Sequence, residues 1–142
     1  MFVSLAFIGC ENETVVAPSA EFNIQSLNKI KNEYENLAIP YQLKANQEYR
    51  VISENSTEYN SFYMGDSIYS NKVWIYSTYT EQPKLNHRGT AMSYNLDLKK
   101  SILTIKYTTV GIYNITFVAS AAGSNGDVVE TAFKNSQITV VP

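Results

Sequence analysis

The chain has 142 residues and a formal net charge of −2 from 11 basic and 13 acidic residues, enough for one ordinary domain and too little for two. Its Lys and Arg residues are scattered, so no basic stripe points to a nucleic-acid partner. Apolar residues make up 44% and aromatic residues 13%, which argues against disorder and toward strands and contact surfaces, and the single cysteine excludes an intrachain disulfide.

Residues Phe2 to Ile8 are almost wholly apolar, yet far shorter than the roughly 20 residues that span a bilayer. They fit the apolar region of a secretory signal, followed by small Gly9 and then Cys10. The order Phe7-Ile8-Gly9-Cys10 resembles a bacterial lipobox, with Phe7 where leucine is usual and no Lys or Arg ahead of the apolar run. That resemblance implies a diacylglycerol thioether on Cys10 and removal of residues 1–9. The alternative is an N-terminal strand or tail with an incidental buried thiol. One acyl chain binds a membrane only marginally, whereas two or three on Cys10 hold it there. Residues 10–20 then form a polar leader, in which Pro18 discourages helix. Glu11 and Glu13 resemble the acidic signal that follows the cysteine in Bacteroidetes-type lipoproteins exported to the cell surface. The expected division is a signal-peptide remnant at 1–9, a lipidated leader at 10–20 and a single domain at 21–142.

From Ser26 to Leu37 two readings stay open. Leu27, Ile30, Tyr34 and Leu37 recur at helical spacing, with Ser26 as a cap and Pro40 as a stop. A strand or irregular loop is the alternative, because the asparagines in this segment weaken a helix. Beyond Tyr41 the pattern is strand and turn. Glu48 to Ser53 alternates Tyr49 and Val51 against Arg50. Lys72 to Tyr79 sets Val73 and Ile75 against Trp74 and Tyr76. Ser101 to Tyr107 places Leu103, Ile105 and Tyr107 on one side. Tyr113, Ile115, Phe117 and Ala119 share a face opposite Asn114 and Thr116. Gly123-Ser-Asn-Gly126 predicts a turn into a strand at about 128–133, and Gln137 to Val141 closes the domain. Six to eight short strands of this kind predict an all-β, two-sheet sandwich.

The run Gly111-Ile-Tyr-Asn-Ile-Thr-Phe117 resembles the G-x-Y-x-V-x-L pattern of PKD-type, immunoglobulin-like domains. The resemblance covers roughly residues 42 to 141 and implies a β-sandwich of about seven strands. It implies further that Tyr113 sits at a sheet corner and bonds back to the main chain, and that Val73-Trp74-Ile75 lies on the tryptophan-bearing strand. The F-G-D-G turn of that family is absent after Trp74, with only a partial echo at Tyr63-Met-Gly-Asp66. This ordering is similar to PKD-like domains on small Bacteroidetes surface lipoproteins.

Little in the sequence assembles a catalytic site. His87 is the only histidine and lies in a polar loop, so no common zinc or nucleophile set can be built around it. Glu48, Glu54 and Glu58 have nothing that would raise the pKa of one of them. Asp66 and Asp127 read as turn formers, since the dense oxygen spacing of a calcium loop is missing. Aromatic residues are the more informative set. Tyr63, Trp74, Tyr76 and Tyr79 are candidate ligand contacts, while Trp74 reads first as core; Tyr59, Phe62, Tyr63 and Tyr69 crowd the loop before Trp74. Asp66-Ser67-Ile68 resembles the O-glycan acceptor of Bacteroidetes exported proteins, with Ser67 as the modified residue. The expectation is a non-enzymatic protein, without a cofactor, lipid-anchored at the outer membrane. Its domain binds a glycan or an outer-membrane protein, or serves as a structural accessory subunit of an outer-membrane complex.

Overall fold

Alternation of apolar and polar side chains along each strand gives every strand one face to bury, and two sheets bury those faces against each other. The computed structural model describes residues 15–16, 18–65, 90–122 and 129–142. In chain order the strands are β1 (Phe22–Asn28), β2 (Glu33–Asn36), β3 (Tyr41–Lys44), β4 (Glu48–Ser53), β5 (Tyr59–Tyr63), β6 (Thr90–Ala91), β7 (Ser93–Asn95), β8 (Lys100–Lys106), β9 (Gly111–Ala122) and β10 (Val129–Val141). One sheet runs β2-β1-β4-β8-β7 and the other β3-β10-β9-β5-β6. Every pairing is antiparallel except β3 with β10, which is parallel. The chain is therefore an all-β sandwich of immunoglobulin-like character.

Phe22, Ile24, Tyr49, Val51 and Ile105 face inward from the first sheet, and Leu43, Phe62, Ile115, Phe117 and Ile138 from the second. Fully burying a side chain of this size stabilises the fold by about 1.5–3 kcal/mol. Phe22 is the hinge of this packing. Its ring stacks on Phe117 at 5.2 Å between centroids and meets Phe62 edge-on at 6.0 Å.

The helix considered for Ser26 to Leu37 does not form; the segment is the β1–β2 hairpin. Leu27 pairs directly with Tyr34 across the two strands, and Ile30 stands almost wholly exposed at the tip. The asparagines that weaken a helix are what build the turn. Asn28 Oδ1 accepts the backbone N–H of Ile30 and of Lys31, and Asn32 takes a left-handed conformation with φ 55°. Pairing of β1 with β4, from Phe22↔Ser53 to Gln25↔Arg50, joins the hairpin to the rest of the first sheet.

Three further differences separate the fold from its sequence reading. Ten strands are present among the described residues rather than about seven, because the N-terminal segment is split between sheets and short strands β2 and β6 are added. The strands expected at 128–133 and 137–141 are one continuous strand, β10, paired with β9 from Val129↔Ala122 to Val140↔Gly111. Tyr59, Phe62 and Tyr63 lie on β5, not in a loop.

The two ends of the sandwich are fixed differently. At one pole the segment before β1 is fastened to the β4–β5 loop: Glu54 N–H donates to Glu21 O at 2.9 Å, and Asn55 Nδ2 to Ser19 O at 2.7 Å. Lys134 and Glu21 form an ion pair beside them. At the opposite pole Ala45 N–H donates to Val141 O, and Asn46 N–H to Tyr107 O.

Candidate functional site

The strands β5, β9 and β10 turn one set of side chains into the core and the alternate set outward. Register places Ser120 beside Thr131, Val118 beside Phe133, Thr116 beside Asn135 and Asn114 beside Gln137 on the outward face. On the other side of β9, Tyr59, Ser61 and Tyr63 stand beside Ser120, Val118 and Thr116. None of these outward residues is charged.

Three cross-strand hydrogen bonds order the polar part of this face. Ser120 Oγ and Thr131 Oγ1 are 3.0 Å apart, Thr116 Oγ1 donates to Asn135 Oδ1 at 2.7 Å, and Gln137 Nε2 donates to Asn114 Oδ1 at 3.3 Å. Between them lies an apolar patch. Phe133 is 40% exposed and Tyr59 62%, whereas Val118 is only 6% exposed although it points away from the core. Phe133 and Tyr59 lie on strands flanking β9 and pair with Val118 and Ser120, so they are two strand spacings apart across the sheet and two residues apart along it, about 12 Å on the diagonal.

The outward face of the other sheet has a different chemistry. Arg50 lies over the ring of Tyr34, with 3.6 Å from its guanidinium carbon to the centroid. Its Nε and Nη2 donate to Gln25 Oε1 at 2.9 and 2.7 Å, and Gln25 Nε2 donates to Asn36 Oδ1 at 2.8 Å. Edge strand β2 adds Glu33 and Glu35, which discourage strand addition along it. Glu35 is held below the usual carboxylate range by hydrogen bonds from Lys31 and Asn28.

A cleft of about 290 Å³ opens where β1 and β3 part company, lined by Ser26, Leu37, Gln42, Gln47, Tyr49 and Val141 among others. It is a seam between the sheets. Among the described residues no group of three or more His, Cys, Asp or Glu side chains could hold a metal ion. Glu48 and Glu54 stand at opposite ends of β4, so they do not form a carboxylate pair.

Of the residues singled out from sequence, Tyr63 lies on the outward face of β5. Tyr113 is buried on β9, and its hydroxyl donates to Thr109 O at 2.6 Å, bonding back to the chain four residues upstream. Cys10, Ser67, Trp74, Tyr76 and Tyr79 lie outside the described residues, as do Asp66, His87 and Asp127. Sequence reasoning missed Phe133 and placed Tyr59 in a loop. Phe133 was legible as an anomaly, since it stands on the polar side of the alternation Thr131, Asn135, Gln137, Thr139.

No protein-family model, curated protein or solved structure matches the chain.

Proposed function

We propose that the chain is a non-catalytic lipoprotein of the cell envelope, anchored through Cys10, whose PKD-like immunoglobulin domain binds a glycan or protein partner at the outer membrane. The observation that carries this reading is the outward face of β5, β9 and β10. It is uncharged, it exposes Tyr59 and Phe133, and its polar side chains are ordered by cross-strand bonds. Ordered side chains lose little further entropy when a partner docks.

The tether follows from the lipobox-like run ending at Cys10. Fastening of Ser19 and Glu21 to the β4–β5 loop supports entry of a leader at one pole of the domain, the pole at which β5 begins. Anchoring then holds that face within reach of envelope components and raises their effective concentration. A permanently docked structural subunit is the second reading. The charged edge of β2 favours docking through a face over docking through that edge.

Intact-mass analysis of the protein extracted from native membranes tests the tether. The expected species lacks residues 1–9 and carries a diacylglycerol thioether on Cys10, with or without a further acyl chain. A chain that retains those residues and a free thiol would remove the envelope address and the anchor together.

A further inference from the structure

We infer that the β5–β9–β10 face binds an uncharged polysaccharide, laid across the three strands with its sugar rings on Tyr59 and Phe133. This deepens the proposed binding role and rests on it. Charge is the first argument. The outward side chains of these strands include no Asp, Glu, Lys or Arg, whereas the outward face of the other sheet carries Arg50 and Lys106 and its edge carries Glu33 and Glu35. Lys44, which edge strand β3 adds to this sheet's outward face, stands beside Val141, eight residues along β10 from Phe133, so a charged partner would find no counter-charge beside the two rings. Protein contacts are anchored most often by Arg together with Trp and Tyr, and this face offers no Arg.

The second argument is the kind of polar group present. Asn114, Gln137 and Asn135 carry carboxamides, and each presents both a donor and an acceptor. Ser120 and Thr131 add hydroxyls, while the buried Thr116 hydroxyl serves to orient Asn135. Asn135 Oδ1 accepts from Thr116, and the Asn135 side chain is exposed, which leaves its amide N–H groups directed toward solvent. A surface of this composition pairs with hydroxyl groups, which likewise donate and accept.

The third is geometry. A pyranose ring has one face of C–H bonds and a rim of hydroxyls, matching an aromatic ring bordered by amides. Tyr59 and Phe133, on either side of β9, offer two such rings about 12 Å apart on the diagonal of the sheet. Two rings at that separation select a chain over a single sugar. Asn135 and the Asn114–Gln137 pair continue the face beyond Phe133, and the cross-strand bonds hold these amides in place before ligand arrives.

Native affinity electrophoresis of the full chain provides the test, in gels containing dextran, amylopectin, mannan or xylan, with polygalacturonate and alginate as anionic comparisons. Retardation by at least one neutral polysaccharide is expected, weakened by about tenfold or more in Tyr59→Ala and in Phe133→Ala. Tyr34→Ala, on the other sheet, is expected to migrate like the parent chain. Both face residues are exposed, and unchanged melting temperatures would confirm that the variants fold. Retardation that survives both face substitutions would overturn the assignment of the face. Retardation by the anionic polymers alone, or by none, would overturn the ligand class. Cross-linking from position 59 or 133 to an envelope protein, without neutral-glycan retardation, would reject the polysaccharide and leave the broader binding role standing.

Discussion

Asn60 on β5 and Ser101 on β8 join the two sheets through a buried hydrogen bond of 2.8 Å from Asn60 Nδ2 to Ser101 Oγ. The same amide nitrogen reaches Asn55 Oδ1 and Thr57 O, while Asn60 Oδ1 accepts from Asn55 Nδ2 at 2.9 Å. Ser101 N–H in turn donates to Ser53 Oγ. Every buried side-chain polar atom among the described residues has a partner. In a chain without a disulfide this network is a polar cross-link between sheets. It closes the pole where Ser19 and Glu21 meet the β4–β5 loop. Asn60→Ala strands several of these groups at once, and a loss of about 3 kcal/mol is expected in urea unfolding. A change below about 1 kcal/mol would mean that water replaces the amide without penalty.

Gly65 is confined by the backbone of β9. Its φ is +73°, and a Cβ built on it would lie 2.1 Å from the carbonyl oxygen of Asn114. A side chain there meets both an unfavourable backbone conformation and an immovable neighbour. Gly65→Ala is expected to lower stability by about 3 kcal/mol, and thermal unfolding of the purified variant reads it directly. Unchanged stability would show that this contact yields.

Tyr107 and Tyr113 pack ring against ring at 4.6 Å, and Tyr107 Oη donates to Met64 O at 2.9 Å. Burial pushes the Tyr107 hydroxyl well above its ordinary value, with Tyr113 adding to the effect. In the unfolded chain a tyrosine ionises near pH 10, roughly. The folded state retains its proton over a range where the unfolded state releases one. Stability is therefore full below about pH 10 and falls as pH rises beyond it. Tyr41 is raised by burial and acts in the same direction. Tyr107→Phe is expected to lose about 1 kcal/mol near neutrality with its hydrogen bond. It is also expected to show a smaller fall in melting temperature between about pH 9 and about pH 11. An identical alkaline slope in parent and variant would refute the role of Tyr107.

Strands with clean alternation were readable from sequence because their burial has period two. β4 has the bounds expected of it, and Ile105, Tyr107, Tyr113 and Phe117 all face inward as their spacing implies. The N-terminal hairpin was ambiguous for a physical reason. Its turn brings Leu27 and Tyr34 together at a separation that also suits a helix face. β5 was hidden because Asn60 and Ser61 interrupt its apolar pattern, and the partner that ties Asn60 to the other sheet is 41 residues away. No local signal carries that information. The binding face was half legible. Tyr63 was selected, while Tyr59 and Phe133 needed the sheet order to bring them to the same surface.

Hydroxyl-radical footprinting compares the chain in a cell-envelope fraction with the purified chain and tests the β5–β9–β10 face as the proposed contact surface most directly. Oxidation of Tyr59 and Phe133, both exposed in the isolated domain, is expected to fall severalfold in the envelope while Tyr34 on the other sheet is unaffected. Equal oxidation of Tyr59 and Phe133 in both states, or protection confined to Tyr34, would contradict it.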